Sequence, residues 1–331
     1  MGRDRPLPNV DGMPELSFRM AERADVPAIC TLINTANRAD GTPQVLSVDE
    51  LAEDLDDSGD LTADVQLAEL GDDLVGYVRA LNFPSDELWE RCYLIGAVHP
   101  DHRGQGIGHT LMKWAIERGT ALLRSSNNGL PKYLRVELHE SSVAARHLFE
   151  RLGFRDVRKF EELLRPLTDL PPANDPDGVR IVPWPGDRDE EIREVKNKAF
   201  ADHWGSTPTP ANRWNSWVRG FGSFAEQSFI ALDDDDRVVA YSLNHRYAAD
   251  DELIGRSDGW IDNLGTLPEW RGRGIASALI ARSMHAFAAV GLTHASIGVD
   301  SDSLTGAIRL YKALGFVTNR GHSTLEITLD Q

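Results

Sequence analysis

Two phrases recur in this chain, in the same order and at nearly constant spacing. The first, Val98-His99-Pro100-Asp101-His102-Arg103-Gly104-Gln105-Gly106-Ile107-Gly108, returns as Thr266-Leu267-Pro268-Glu269-Trp270-Arg271-Gly272-Arg273-Gly274-Ile275-Ala276. The second, Leu148-Phe149-Glu150-Arg151-Leu152-Gly153-Phe154, returns as Leu310-Tyr311-Lys312-Ala313-Leu314-Gly315-Phe316. Arg103 and Arg271 stand 168 residues apart, and Phe154 and Phe316 stand 162 apart. Such a duplication divides the 331 residues into two units of ordinary domain size, each long enough to bury a core.

The flanking sequence sets the boundaries. Residues 1–14 are polar and Pro-rich and read as a flexible tail. One unit spans 15–165 and the other 179–331; between them, 166–178 carries Pro166, Pro171, Pro172 and Pro176 and reads as a linker. Both units open alike, with a short apolar strand, an aspartate (Asp25, Asp189) and an amphipathic helix. Each then predicts a two-strand meander, a strand into the Gly-rich turn, a helix, a strand, a helix and a final strand. The expected class is α/β with a mixed sheet: antiparallel strands first, and one parallel crossover around the helix after the turn.

Composition removes several function classes. A net charge of −17 argues against a nucleic-acid partner, whose phosphates need clustered Lys and Arg. No apolar run is long enough for a membrane span, and the N-terminus lacks the apolar core of a signal peptide. Cys30 and Cys92 lie in apolar segments without metal-ligand or CxxC spacing, as expected of reduced thiols in a cytoplasm. Asp233-Asp234-Asp235-Asp236 stands between two strand-like runs and reads as a solvated hairpin tip, so no metal site is expected.

The Gly-rich phrase carries chemistry because a helix start leaves backbone N–H groups unpaired and partly positive. Glycines let an anion approach those donors, and the arginine adds charge. Two better-known loops are excluded. A dinucleotide fingerprint would place a third glycine where His109 and Ser277 stand, and a Walker loop needs Gly-Lys-(Ser/Thr), absent from both copies.

With the Leu-Tyr-x-x-Leu-Gly-Phe helix end, these loops resemble the GNAT superfamily of acetyl-CoA-dependent N-acetyltransferases. The resemblance covers both units, making them two tandem GNAT-like domains, each a mixed, mostly antiparallel twisted sheet flanked by helices. The tandem arrangement is similar to that of the mycothiol synthases. The resemblance implies acetyl-CoA as cofactor, its diphosphate on the backbone of Arg271, Gly272, Arg273, Gly274, Ile275 and Ala276. It implies main-chain contacts from Leu264 and Thr266 to the pantetheine arm, on a strand that splays from its parallel neighbour. Val98 and Arg103, Gly104, Gln105, Gly106, Ile107 and Gly108 form the equivalent cradle of the first unit, as a second binding site or as scaffold.

Amide formation needs a neutral amine and a protonated leaving group. The family places a tyrosine acid where Tyr311 stands; the first unit has Phe149 there, which marks that unit as catalytically degenerate. Asp262, on the strand before the second cradle, corresponds to Leu94 and is the candidate base, or else a carboxylate that holds a cationic substrate. Asp202, His203 and Trp204, after the first helix, are candidate substrate contacts. The expected partner is a small-molecule amine, with no nucleic acid and no membrane, and the sequence sets no oligomeric state. Two other readings stay open: a non-catalytic CoA-binding sensor and a protein N-acetyltransferase.

Overall fold

The computed structural model describes residues 15–42, 44–57, 59–302 and 306–330. The expected tail over residues 1–14 lies outside them. In the first repeat, β1 (Leu16–Met20) leads to α1 (Val26–Asp40), α2 (Val48–Asp57) and α3 (Leu61–Asp64). A meander of β2 (Val65–Leu70), β3 (Asp73–Phe83) and β4 (Glu90–Val98) precedes α4 (Ile107–Ser125), β5 (Lys132–His139), α5 (Val143–Arg151) and β6 (Arg155–Pro166). The second repeat runs β7 (Arg180–Pro183), α6 (Asp189–Ala199), α7 (Ala211–Arg219), β8 (Phe229–Leu232), β9 (Val238–His245), α8 (Asp251–Ile254) and β10 (Asp258–Thr266). It closes with α9 (Ile275–Ala289), β11 (His294–Asp300), α10 (Ala307–Ala313) and β12 (Val317–Leu329).

All strands belong to one sheet in the order β1-β2-β3-β4-β5-β12-β6-β11-β10-β9-β8-β7. Every neighbouring pair is antiparallel except β4/β5 and β10/β11, the two crossovers around α4 and α9. The mixed class expected from the sequence is therefore the observed one. None of the described helices is long and apolar enough to cross a membrane.

The middle of the sheet interleaves the repeats. β12 pairs with β5 from Leu329↔Lys132 to His322↔His139, and β6 pairs with β11 from His294↔Pro166 to Asp300↔Phe160. Each repeat thus lends its last strand to the other, and the two lent strands pair with each other. Side chains follow: Leu325 of β12 packs in the first core with Leu134, Val136 and Phe154, while Leu163 of β6 packs in the second with Ile297, Tyr311 and Phe316.

The recurring Leu-Gly-Phe phrase ends a helix in both repeats. Gly153 and Gly315 take φ of 95° and 87°, the left-handed region that a Cβ disfavours. The amides of Phe154 and Phe316 then reach back to the carbonyls of Phe149 and Tyr311, both at 3.0 Å, and each phenylalanine is buried. The Pro-rich segment after β6 has no regular structure, but it is tied down. Leu170 packs on the second core, His285 Nε2 meets Pro171 O at 2.9 Å, and Arg282 pairs with Asp175 at 3.0 Å. Asp25 stands before α1, yet its side chain caps no helix amide of α1; it takes a two-pronged ion pair from Arg19 instead, at 2.7 and 2.8 Å. The four aspartates from 233 to 236 form the β8–β9 turn, where Asp233 accepts from the amides of Asp235 and Arg237.

Truncating a fully buried leucine costs about 2–5 kcal/mol, from lost transfer energy and the cavity left behind. Leu163→Ala and Leu325→Ala should each lower stability by that amount. Urea unfolding of either variant should stay a single transition, because each leucine belongs to one repeat and packs in the other. Two transitions, with only the variant's own repeat affected, would contradict the exchange.

Candidate functional site

The parallel strands β10 and β11 pair only from Asp258↔His294 to Ile261↔Ile297. Beyond that point β10 stays on β9 up to Thr266 and leaves β11. A cavity of about 1100 Å³ opens along this splay. It is lined by residues 261–266 of β10, by residues 297–300 of β11, by the start of α9 and by Tyr311 of α10. Gly265 is required where β10 crosses β9: a Cβ there would meet the Tyr241 ring at 2.5 Å.

The cradle sits at one end of the cavity. Gly272 and Gly274 take φ of 76° and 79°, and no atom stands within 4 Å of where their Cβ atoms would be. No side chain caps α9, so its first amides are left to whatever enters the cradle. Ile275 plugs the core, while Gly272, Gly274, Ile275, Ala276 and Ser277 line the cavity. Arg271 lines it too, with its guanidinium bound to both oxygens of Asp202 at 2.7 and 3.2 Å and to Ala199 O at 2.8 Å. Arg273 does not line it; its guanidinium lies over Trp270, 4.5 Å from the ring.

Asp262 occupies a bulge, since Ile261 pairs with Asn244 and Asn263 with Leu243, leaving the residue between them without a partner. Its Oδ2 accepts from Trp217 Nε1 at 2.8 Å and lies 3.5 Å from Nδ1 of the buried His245. His245 Nε2 meets Trp217 O at 3.1 Å, so that nitrogen carries the hydrogen. The other cavity-lining carboxylates are each joined to an arginine: Asp202 to Arg271, Asp300 and Asp302 to Arg158, and Glu326 to Arg135. Asp262 is joined to none, which makes it the carboxylate open to a cationic ligand. Leu264 and Thr266 follow on the same unpaired edge.

Tyr311 is buried on α10 against Phe316, and burial pushes its hydroxyl up to about 12. It therefore keeps its proton across the physiological range. Phe149 occupies the same place in the first repeat, against Phe154.

Of the expected substrate contacts, Asp202 lines the cavity but is engaged by Arg271, which holds its carboxyl below the usual range. His203 bonds Trp204 O at 2.9 Å and packs on Phe200. Trp204 lies 4.5 Å from the Arg135 guanidinium and 5.6 Å from that of Arg158. The rest of the wall comes from residues that the sequence did not mark as part of the site: Trp89, Tyr133 and Arg135 of the first repeat, Phe160 of β6, and His322 and Glu326 of β12. His322 stacks on Phe160, and burial lowers its pKa below the usual imidazole value, which favours the neutral ring. No local pattern marks these residues, because the exchange of strands brings them here.

The first repeat repeats the geometry in part. β4 and β5 pair from Glu90↔Lys132 to Tyr93↔Arg135 and then part, and Gly104 and Gly106 are left-handed with open space around them. Arg103 holds Asp40 at 2.6 and 3.0 Å and reaches Val98 O at 3.2 Å, as Arg271 does with Asp202 and Thr266 O. Gln105 is exposed, Ile107 is buried, and Gly108 packs near Val98 and Leu148. A second cavity of about 610 Å³ reaches Ile95, Gly96 and Ala97, with Phe221 and Tyr247 of the second repeat on its wall. None of the residues 103–108 lines it.

Known proteins match both repeats. Residues 62–156 match the model of an acetyltransferase (GNAT) domain, and residues 190–316 match that of the acetyltransferase (GNAT) family. A mycothiol acetyltransferase of Streptomyces scabiei is 32% identical over 260 residues, 76% of each chain. One from Streptomyces griseus is 30% identical over 335 residues, covering 96% of this chain and 97% of its own. Among solved structures, a GCN5-related N-acetyltransferase from Sphaerobacter thermophilus superposes with a TM-score of 0.74 at 27% identity, covering 95% of both chains. Two family models in tandem, and relatives matched across both repeats, show that this chain is a member of the acetyltransferase (GNAT) family.

Proposed function

We propose that this acetyltransferase uses acetyl-CoA to acetylate the primary amine of a small molecule, in the cytoplasm, and that the second repeat does the chemistry. The observation that carries the reading is the convergence of an open cradle, an unpaired strand edge, Asp262 and Tyr311 on one cavity. That cavity suits a cofactor arm together with a small acceptor. The relatives named mycothiol acetyltransferase support a small-molecule acceptor.

The cradle residues fit acetyl-CoA, which when bound supplies an acetyl group activated as a thioester. Amides from Arg271 to Ala276 hold the diphosphate at the positive end of α9. Main-chain groups of Leu264 and Thr266, unpaired with β11, would hold the pantetheine arm. Asp262 draws the ammonium group of the acceptor and takes its proton, leaving the amine neutral. Its bulge and the Trp217 N–H aim the carboxylate. Tyr311 holds a hydroxyl proton for the leaving side. In the first repeat Phe149 and Leu94 replace the two reactive groups, so its cradle is a binding site or a scaffold without turnover.

Three outcomes test this reading. Tyr311→Phe should lower kcat about 100-fold, within the usual range for a lost acid, with acetyl-CoA affinity unchanged. The rate profile of that variant between pH 6 and 10 should keep the wild-type shape, because a hydroxyl at about 12 does not titrate there; a lost basic limb would count against the assignment. Calorimetric titration with acetyl-CoA should lose the catalytic site in Gly274→Val, where a branched side chain meets a left-handed φ inside the cradle. Activity that survives Gly274→Val and dies with Gly106→Val would reverse the roles of the repeats.

A further inference from the structure

Arg135 stands on β5 of the first repeat, yet its side chain, only 4% exposed, lines the cavity of the second. Its guanidinium lies between two indoles, 4.6 Å from the Trp89 ring and 4.5 Å from the Trp204 ring. Nε donates to Glu326 Oε2 at 2.8 Å, directly across the β5–β12 pairing. Nη1 is buried and has no hydrogen-bond partner among the described residues. It faces Gly205, where an added Cβ would lie 3.7 Å from it, and Gly205 also lines the cavity.

A buried N–H without an acceptor is unfavourable and uncommon. Two indoles fix the plane of the guanidinium, so Nη1 cannot swing to water without leaving both ring faces. Glu326 already balances the charge of Arg135, so an anion gains little here, while an uncharged oxygen satisfies the donor. Asp262 in the same cavity is the carboxylate without an arginine and suits the ammonium end of the same ligand.

We propose that Arg135 Nη1 donates a hydrogen bond to an uncharged oxygen, a hydroxyl or an amide carbonyl, of the molecule that is acetylated. The acceptor is then an amine that carries such an oxygen, and a residue of the non-catalytic repeat selects it. This rests on the reading of the second repeat as an N-acetyltransferase site.

The test compares ω-amino alcohols, from ethanolamine to 6-aminohexan-1-ol, with alkylamines of the same chain length. Wild type should favour at least one amino alcohol by about tenfold in kcat/KM, a difference carried by KM, as a neutral hydrogen bond made equally in ground and transition state would give. Arg135→Lys keeps a cation for Glu326 but lacks the planar fork, and should bring that ratio to about one. The change should appear as a rise of about tenfold in the amino alcohol KM, with the alkylamine KM as the internal reference. Should that variant fail to fold, Arg135→Met with Glu326→Leu replaces the buried pair by apolar side chains, an exchange that folds tend to tolerate. A ratio that persists in the folded variant, or a wild type with no preference, overturns the inference while the acetyltransferase reading stands. A wild type that acetylates none of these amines overturns both.

Discussion

Three strand pairings at the centre of the sheet hold the two repeats as one body, and each carries its own ion pair. Arg135 meets Glu326 across β5 and β12, Arg320 meets Glu162 across β12 and β6, and Arg158 meets both oxygens of Asp300 across β6 and β11. Glu326 and Arg320 lie directly opposite their partners in register. Taking a charge out of water is unfavourable unless its partner is in place, so these pairs favour one alignment of the central strands over a slipped one. Backbone pairing and the leucines exchanged between the cores provide the stability; the ions favour the register.

That alignment determines what lines the cavity of the second repeat. β11 is flanked by β10 of its own repeat and by β6 of the other, so the space opened by the splay of β10 has a wall from the first repeat. Phe160 and Arg158 arrive on β6, His322 and Glu326 on β12, and Arg135 on β5. The first repeat, with Phe149 and Leu94 where the second has Tyr311 and Asp262, supplies part of that wall through Trp89, Tyr133, Arg135, Arg158 and Phe160.

Much of the local structure was legible in the residues. The repeated Arg-Gly-x-Gly-Ile phrase marks a turn that opens a helix, and it opens α4 and α9; the left-handed conformation of Gly272 and Gly274 is what the structure adds. Leu-Gly-Phe marks a helix end, and both copies end a helix with a backward hydrogen bond from the phenylalanine amide. Tyr311, Asp262 and the cradle line one cavity; Tyr311 was placed there by the family resemblance and not by the local pattern. Less legible was how a residue would be occupied. Asp202 reads as a free carboxylate near the acceptor, but it serves Arg271, a pairing repeated by Asp40 and Arg103. Arg273 reads as part of the cradle, but its side chain turns away to Trp270.

Local propensity and the repeat were enough to establish the main elements, their order and the mixed sheet, because turns and helix ends are set by neighbours in the chain; the superfamily came from the resemblance of the two motifs. Which sheet a strand joins is another matter. β6 and β12 are equivalent strands of a duplicated unit, and alternation along a strand is the same whether it closes its own repeat or the other. Only the tertiary structure decided that, through pairings between residues as far apart as Arg135 and Glu326, and with it the composition of the cavity wall.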